Sequence, residues 1–285
     1  MNAPPPAART FTDDERRQFL RYTDTGQWPL LRRFPISADL HTDLLAQMLA
    51  STPETVRALV RSLHDETRAT AARMLSDHRY REAVADLPFR PGDRVVAVGD
   101  SITADRLGWF ELLAASIGLA GGPAAGLINL SISGNTTADV LERFDLLEAA
   151  GPSRVLLMLG TNDARAHGRT GSYRMATAHE TERNLRALVD LVTGDLNAEI
   201  TVITPPAVDQ HRADAFFGDV PLRWHASDVA EVADVVTKTA PGAVDLHRAM
   251  SAPGRGDLLE SDGVHPTPAG QQFILSQVIE HLRAR

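Results

Sequence analysis

"RVVAVGDSITADRLGWFELLA", residues 94–114, is the stretch on which the fold turns. Residues 95–98 are Val-Val-Ala-Val, a run too short for a helix and apolar throughout, as in a strand buried on both faces. It breaks at Gly99-Asp100-Ser101, and an amphipathic pattern resumes within a few residues. A polar hinge therefore stands where a buried strand hands over to a helix. Ser101 has two readings there: a cap for the backbone N–H groups of that helix, or a nucleophile.

Downstream the same texture repeats. Short β-branched or Leu-rich runs at 94–99, 127–131, 154–159, 199–204 and 243–246 alternate with helical patterns at about 106–117, 137–149, 173–193, 223–238 and 268–283. That alternation predicts βα units around a parallel sheet of five strands. Upstream the texture is all helix. Thr12-Asp13-Asp14-Glu15 has the spacing of a capping box, and Ser51-Thr52-Pro53-Glu54 opens a second helix with Pro in its first turn. Val56, Leu59, Val60, Leu63, Ala71, Met74 and Leu75 then keep a helical period. "LPFRPGDR", residues 87–94, carries two prolines and a glycine and marks a boundary. The expected organisation is a disordered Pro/Ala arm at 1–11, a helical segment at 12–91 and a catalytic domain at 92–285.

Composition narrows the function. With 43% apolar and 23% charged residues, the 285-residue chain reads as a soluble globular protein. A formal charge of -8 leaves no basic face to neutralise a phosphate backbone, so no nucleic-acid partner is expected. No apolar run approaches bilayer length, so no membrane insertion is expected. The first twenty residues lack a basic region followed by an apolar one, which makes cytoplasmic placement the default expectation. With no cysteine there is no disulfide, thiolate metal site or Cys nucleophile. Lys238 is the one lysine, which speaks against both a Walker-type loop and a Schiff base. His179-Glu180 lacks the second His of a helical zinc site, because position 183 is Arg; no metal and no cofactor is expected.

In an open α/β sheet the ligand crevice lies beyond the carboxyl ends of the strands. The polar residues just after each strand are Gly99-Asp100-Ser101, Ser131-Ile132-Ser133-Gly134-Asn135 and Gly160-Thr161-Asn162-Asp163, and Asp262-Gly263-Val264-His265 precedes the last helix. Together they offer the groups that acyl transfer requires. A serine hydroxyl is a weak nucleophile without a base, and His265 can be that base. Asp262, three residues earlier, can hold the imidazole tautomer. Gly134 and Asn162 can supply donors to a developing oxyanion. Taken singly each feature is an ordinary turn, cap or loop; their conjunction and order carry the reading.

These residues resemble the SGNH hydrolases, also called the GDSL family of esterases and lipases, over roughly residues 92–285. Gly99-Asp100-Ser101 matches the serine block, residues 129–134 the glycine block, Gly160-Thr161-Asn162-Asp163 the asparagine block and Asp262-x-x-His265 the last; Ile102 stands where the name-giving motif has Leu. The resemblance implies a three-layer α/β/α, flavodoxin-like core. It implies Ser101 as nucleophile, His265 and Asp262 as the rest of the triad, and Ser101, Gly134 and Asn162 as oxyanion donors. The expected activity is serine ester hydrolysis through an acyl-enzyme, on small-molecule short-chain acyl or acetyl esters. The alternatives are acyl transfer by the same triad, or a binding module on a vestigial hydrolase core. The helical segment lies outside the family core, and we expect it to pack as a cap, because its apolar stripes must be buried somewhere.

Overall fold

The computed structural model describes residues 10–122, 124–168, 173–253 and 257–284. Most of the expected arm, residues 1–9, lies outside the described residues. Helix α1 (Asp13–Tyr22) starts at the Thr12 capping box, with both reciprocal hydrogen bonds present. A 3-10 turn (Thr25–Gln27), α2 (Pro29–Arg32) and α3 (Ala38–Met48) follow. The long α4 (Pro53–Met74) begins with Thr52 as its cap and Pro53 in the first turn, and α5 (His78–Ala85) closes the segment. Leu20, Leu45, Leu49, Val56 and Leu63 bury a small core of their own. Leu75, Val84, Leu87 and Phe89 are instead buried in the core of the catalytic sheet.

Strand β1 (Arg94–Gly99) is followed by the short α6 (Ser101–Ala104), α7 (Trp109–Ala120) and β2 (Gly126–Asn129). Next come α8 (Thr137–Glu142), α9 (Phe144–Ala150), β3 (Arg154–Met158), β4 (Ala166–His167), β5 (Tyr173–Arg174) and α10 (Ala178–Asp190), which continues into a π-type turn at Leu191–Asp195. The chain ends with β6 (Glu199–Ile203), α11 (Gln210–Phe216), β7 (Leu222–Arg223), α12 (Ala226–Thr239), α13 (Leu246–Ser251) and α14 (Pro268–Arg283).

The main sheet is parallel, in the order β2-β1-β3-β6. Side chains alternate across it: Val95, Ala97, Leu156 and Met158 pack toward α5, α7 and α14, whereas Val96, Val98, Val155 and Leu157 pack toward the α8–α12 side. Both faces are covered, which is why β1 and β3 read as continuous apolar runs.

The sheet has four strands, not the five expected. The stretch at 243–246 contributes one parallel bridge, Ile203 to Val244. Its pairing stops because Asp245 already caps α13, accepting from the Arg248 N–H, and the chain turns helical at Leu246. The antiparallel sheet β5-β4-β7 was not expected, since strands of two residues are too short to show a period. Among the described residues no helix is long and apolar enough to cross a membrane.

Candidate active site

Ser101 is the first residue of α6, immediately after β1. Its backbone N–H is thus one of the donors that a helix N-terminus leaves free. Helix capping falls to Asp100, whose carboxylate accepts from the Ile102 N–H at 3.0 Å, leaving the Ser101 hydroxyl to other work. Glycine is required just before: a Cβ on Gly99 would come within 2.6 Å of Thr103 Oγ1 and 2.8 Å of the Met158 carbonyl. Burial pushes the Asp100 carboxyl up to about 6, against the opposing hydrogen bond from Ile102.

The Ser101 hydroxyl lies 2.9 Å from His265 Nε2, across 164 positions of sequence. On the other side of the ring, Nδ1 lies 2.6 Å from Asp262 Oδ2. A carboxylate only accepts, so Nδ1 carries the proton and Nε2 is left as the acceptor facing Ser101. The second Asp262 oxygen accepts from the Val264 and His265 N–H groups, each at 2.9 Å. Burial alone would lower the His265 pKa, but the Asp262 hydrogen bond and charge, with Asp100 and Glu260 behind them, hold it above the usual histidine value. Burial works to raise Asp262, and its bonds to His265 and the two backbone N–H groups outweigh that and lower it.

The loop carrying this pair is tightly determined. Gly263 sits at φ +69°, and a Cβ there would fall 2.5 Å from the Asp209 carbonyl oxygen. The Asp209 N–H donates back to the Gly263 carbonyl at 2.8 Å, and Glu260 N–H to the His265 carbonyl at 2.7 Å.

Two further loops are tied to the end of β1 and to each other. The Ile132 N–H donates to the Gly99 carbonyl at 3.1 Å, which ties the loop of Gly134 (φ +87°) to the end of β1. The buried Asn162 amide donates to the Asn135 carbonyl at 3.3 Å, next to Gly134. Asn162 is itself held by its neighbours: Trp224 Nε1 donates to the Thr161 carbonyl at 3.1 Å, and buried Asp163 accepts from the Thr137 N–H and from the Thr137 and Thr181 hydroxyls. Ser101, Gly134, Asn162, Asp262 and His265 thus stand on mutually bonded loops. A Ser–His–Asp relay of this geometry can move a proton from a hydroxyl to an imidazole.

Several residues of this region were not legible in the sequence. Tyr22, at the end of α1, places its ring 5.1 Å from that of His265. Its neighbour Arg21 reaches into the domain: Nε and Nη2 grip both oxygens of Asp105 at 2.8 and 2.7 Å, and Nη1 binds Glu260 at 2.8 Å. Asp105 follows α6 and Glu260 lies two residues before Asp262, so one arginine spans the serine and histidine loops. No local signal marks this pair, since its partners are 84 and 239 positions away. Three loops, at 103–109, 164–174 and 205–223, follow β1, β3 and β6; of the aromatics on or beside them, Trp109 and Trp224 are buried, whereas Tyr173 and Phe216 are exposed. Residues 169–172 of the second loop lie outside the described residues.

A family model described as GDSL-like lipase/acylhydrolase matches residues 97–273, more than half of the chain. Among solved structures, the acetyl xylan esterase AlAXEase is 22% identical, with 66% of this chain and 98% of that chain covered at a TM-score of 0.54. TesA is 23% identical over 67% of this chain and 99% of that one, at 0.51. A variant of Axe2, an acetylxylan esterase from Geobacillus stearothermophilus, is 21% identical over 68% and 95%, also at 0.51. These likenesses lie in the fold; among curated proteins none matches by sequence. With the serine, glycine, asparagine and histidine blocks all inside or beside the matched span, the chain belongs to the GDSL-like lipase/acylhydrolase family and is a carboxylic ester hydrolase.

Proposed function

We propose that the chain hydrolyses short-chain acyl or acetyl esters of small molecules through an acyl-enzyme on Ser101. The observation that carries this is the continuous relay of 2.9 Å from Ser101 to His265 and 2.6 Å from His265 to Asp262. In the first half-reaction Ser101 Oγ attacks the acyl carbon as its proton passes to His265 Nε2. The imidazolium, stabilised by Asp262, returns that proton to the leaving oxygen as the ester C–O bond breaks and the alcohol departs. In the second half-reaction water gives a proton to His265 as its oxygen attacks the acyl carbon; the bond from that carbon to Ser101 Oγ then breaks, the imidazolium returns the proton to Oγ, and the acid leaves. The Ser101 and Gly134 N–H groups and the Asn162 amide stabilise the oxyanion in both halves.

The domain organisation follows in the same reading. Residues 12–91 form a helical cap on the catalytic domain at 92–285, joined to it by the Arg21 ion pairs and by Leu75, Val84, Leu87 and Phe89 in the shared core. The test is turnover of 4-nitrophenyl esters of increasing acyl length by the full chain and by Ser101→Ala. The expected result is a preference for short acyl groups and loss of turnover in the variant. Turnover by Ser101→Ala close to that of the unsubstituted chain would refute the assignment.

A further inference from the structure

The last turn of α1 touches all three segments that carry Ser101, Gly134 and His265. Arg21 binds Asp105 after α6 and Glu260 before Asp262, the Tyr22 ring lies 5.1 Å from that of His265, and the Ser133 hydroxyl donates to the Tyr22 carbonyl at 2.5 Å. Helix α1 precedes the span 97–273 that the family model matches, so these contacts are additions to the family core. Each partner of Arg21 is one step from a reacting group. The Asp105 N–H donates to the Ser101 carbonyl at 3.1 Å, closing the turn on which the serine stands, and the Gln271 amide holds the Asp105 carboxylate at 3.2 Å from α14. The Glu260 N–H donates to the His265 carbonyl at 2.7 Å and its carbonyl accepts from the Gly263 N–H at 3.0 Å, so the Glu260 side chain is a handle on the turn that holds Asp262 and His265.

A buried ion pair is a weak source of net stability, because desolvation offsets much of its attraction. It is a strong source of direction. A guanidinium fork meets both oxygens of a carboxylate in one plane, and here the third nitrogen is committed to a second acid, which fixes how far apart the two acids stand. Docking of α1 does not depend on that side chain. The Arg106 N–H donates to the Arg21 carbonyl at 3.0 Å and Arg106 Nε to the Leu20 carbonyl at 2.9 Å, both on the α1 backbone.

We propose that Arg21 is a positioning residue of the hydrolysis: by holding Asp105 and Glu260 at once it keeps Ser101 Oγ and His265 Nε2 at the 2.9 Å separation that proton transfer needs. The proposal rests on the assignment of Ser101 and His265 as nucleophile and base. Arg21 is buried and spends its bonds on the two acids, so it acts on the proton transfer and not on substrate binding. The catalytic unit then begins at α1, ahead of the family core.

The test measures kcat, KM and urea unfolding on the full chain, with a slow ester at a pH on the plateau of the kcat/KM profile, where the charge of Glu260 no longer bears on the protonation of His265. Arg21→Met should lower kcat by about ten- to 100-fold and leave KM within about twofold, since misplacing a reacting pair by about 1 Å costs up to about 100-fold. Arg21→Met/Asp105→Asn strands no buried charge, so it should regain stability while kcat stays low; it decides the matter even if Arg21→Met fails to fold. Glu260→Ala keeps the Asp105 pair and frees only the histidine loop, and should lower kcat by about three- to tenfold at nearly unchanged stability. A kcat that recovers together with stability in the double variant, a kcat within about twofold of the unsubstituted chain in Glu260→Ala, or a loss carried by KM would overturn the proposal. Failure of the hydrolase reading looks different, because the unsubstituted chain would then turn over no ester at all.

Discussion

Arg21 is the point at which the helical segment grips the catalytic loops, and its removal has a calculable cost. Its guanidinium makes two charge-assisted hydrogen bonds to Asp105 and one to Glu260, at 2.7 to 2.8 Å. The two acids fare differently once it is gone. The Glu260 side chain is 24% exposed and can be rehydrated, whereas Asp105 is 0% exposed. Asp105 keeps donors from the Leu107 N–H at 2.9 Å and the Gln271 amide at 3.2 Å, but it loses its only counter-charge among the described residues. Stranding one partner of a buried ion pair typically costs about 3–5 kcal/mol, and the two remaining donors place Arg21→Met near the lower end, at about 3 kcal/mol. Urea unfolding of the full chain measures this. If the cost comes from the stranded charge, Arg21→Met/Asp105→Asn should recover a large part of it, because the double variant removes both charges. An Arg21→Met variant within about 1 kcal/mol of the unsubstituted chain would refute the reasoning, since such values belong to exposed pairs.

Asn162→Ala should lower kcat by about 100- to 1,000-fold with little change in KM, the loss expected for one oxyanion donor, and steady-state kinetics on a slow ester checks this. Its Tm should fall only modestly, through the 3.3 Å bond to the Asn135 carbonyl; a destabilised but fully active variant would make Asn162 structural. The kcat/KM profile should rise with pH and level off above the ordinary histidine value of about 6.5, because Asp262 holds His265 up and only neutral imidazole accepts the serine proton. The same shift stabilises the folded chain fully below the unfolded pKa and is lost as pH rises through the folded one, so activity grows where this contribution fades. A flat profile from about pH 5 to 8 on a chemistry-limited substrate would contradict a histidine base. A chain starting near Pro91 should be far less stable than the full chain, since Leu75, Val84, Leu87 and Phe89 would be missing from the sheet's core at about 2 kcal/mol each. Equal stability in a thermal melt would make the helical segment a detachable module.

Short-range signals were readable where physics is local. The 94–99 strand, the Thr12 cap and the last helix at 268–283 fall where periodicity and capping chemistry put them. Ser101, Gly134, Asn162 and His265 were legible because an open parallel sheet exposes the residues after its strands, and because their order matches a known family. The fifth strand failed because three apolar or β-prone residues do not reveal that Asp245 will cap a helix at once. Arg21 and Tyr22 were invisible for another reason. An arginine beside Leu20 reads as the polar edge of an amphipathic helix, and only the tertiary structure shows that this edge faces Asp105, Glu260 and His265.

The central claim, that Ser101 is a nucleophile armed by His265 and Asp262, is tested most directly by covalent capture. A fluorophosphonate should add once per chain, with peptide mapping placing the adduct on Ser101. Ser101→Ala should show no adduct, and His265→Ala should react far more slowly, because the hydroxyl then lacks its base 2.9 Å away. An adduct on another residue, or labelling of Ser101 at an undiminished rate in His265→Ala, would contradict the account.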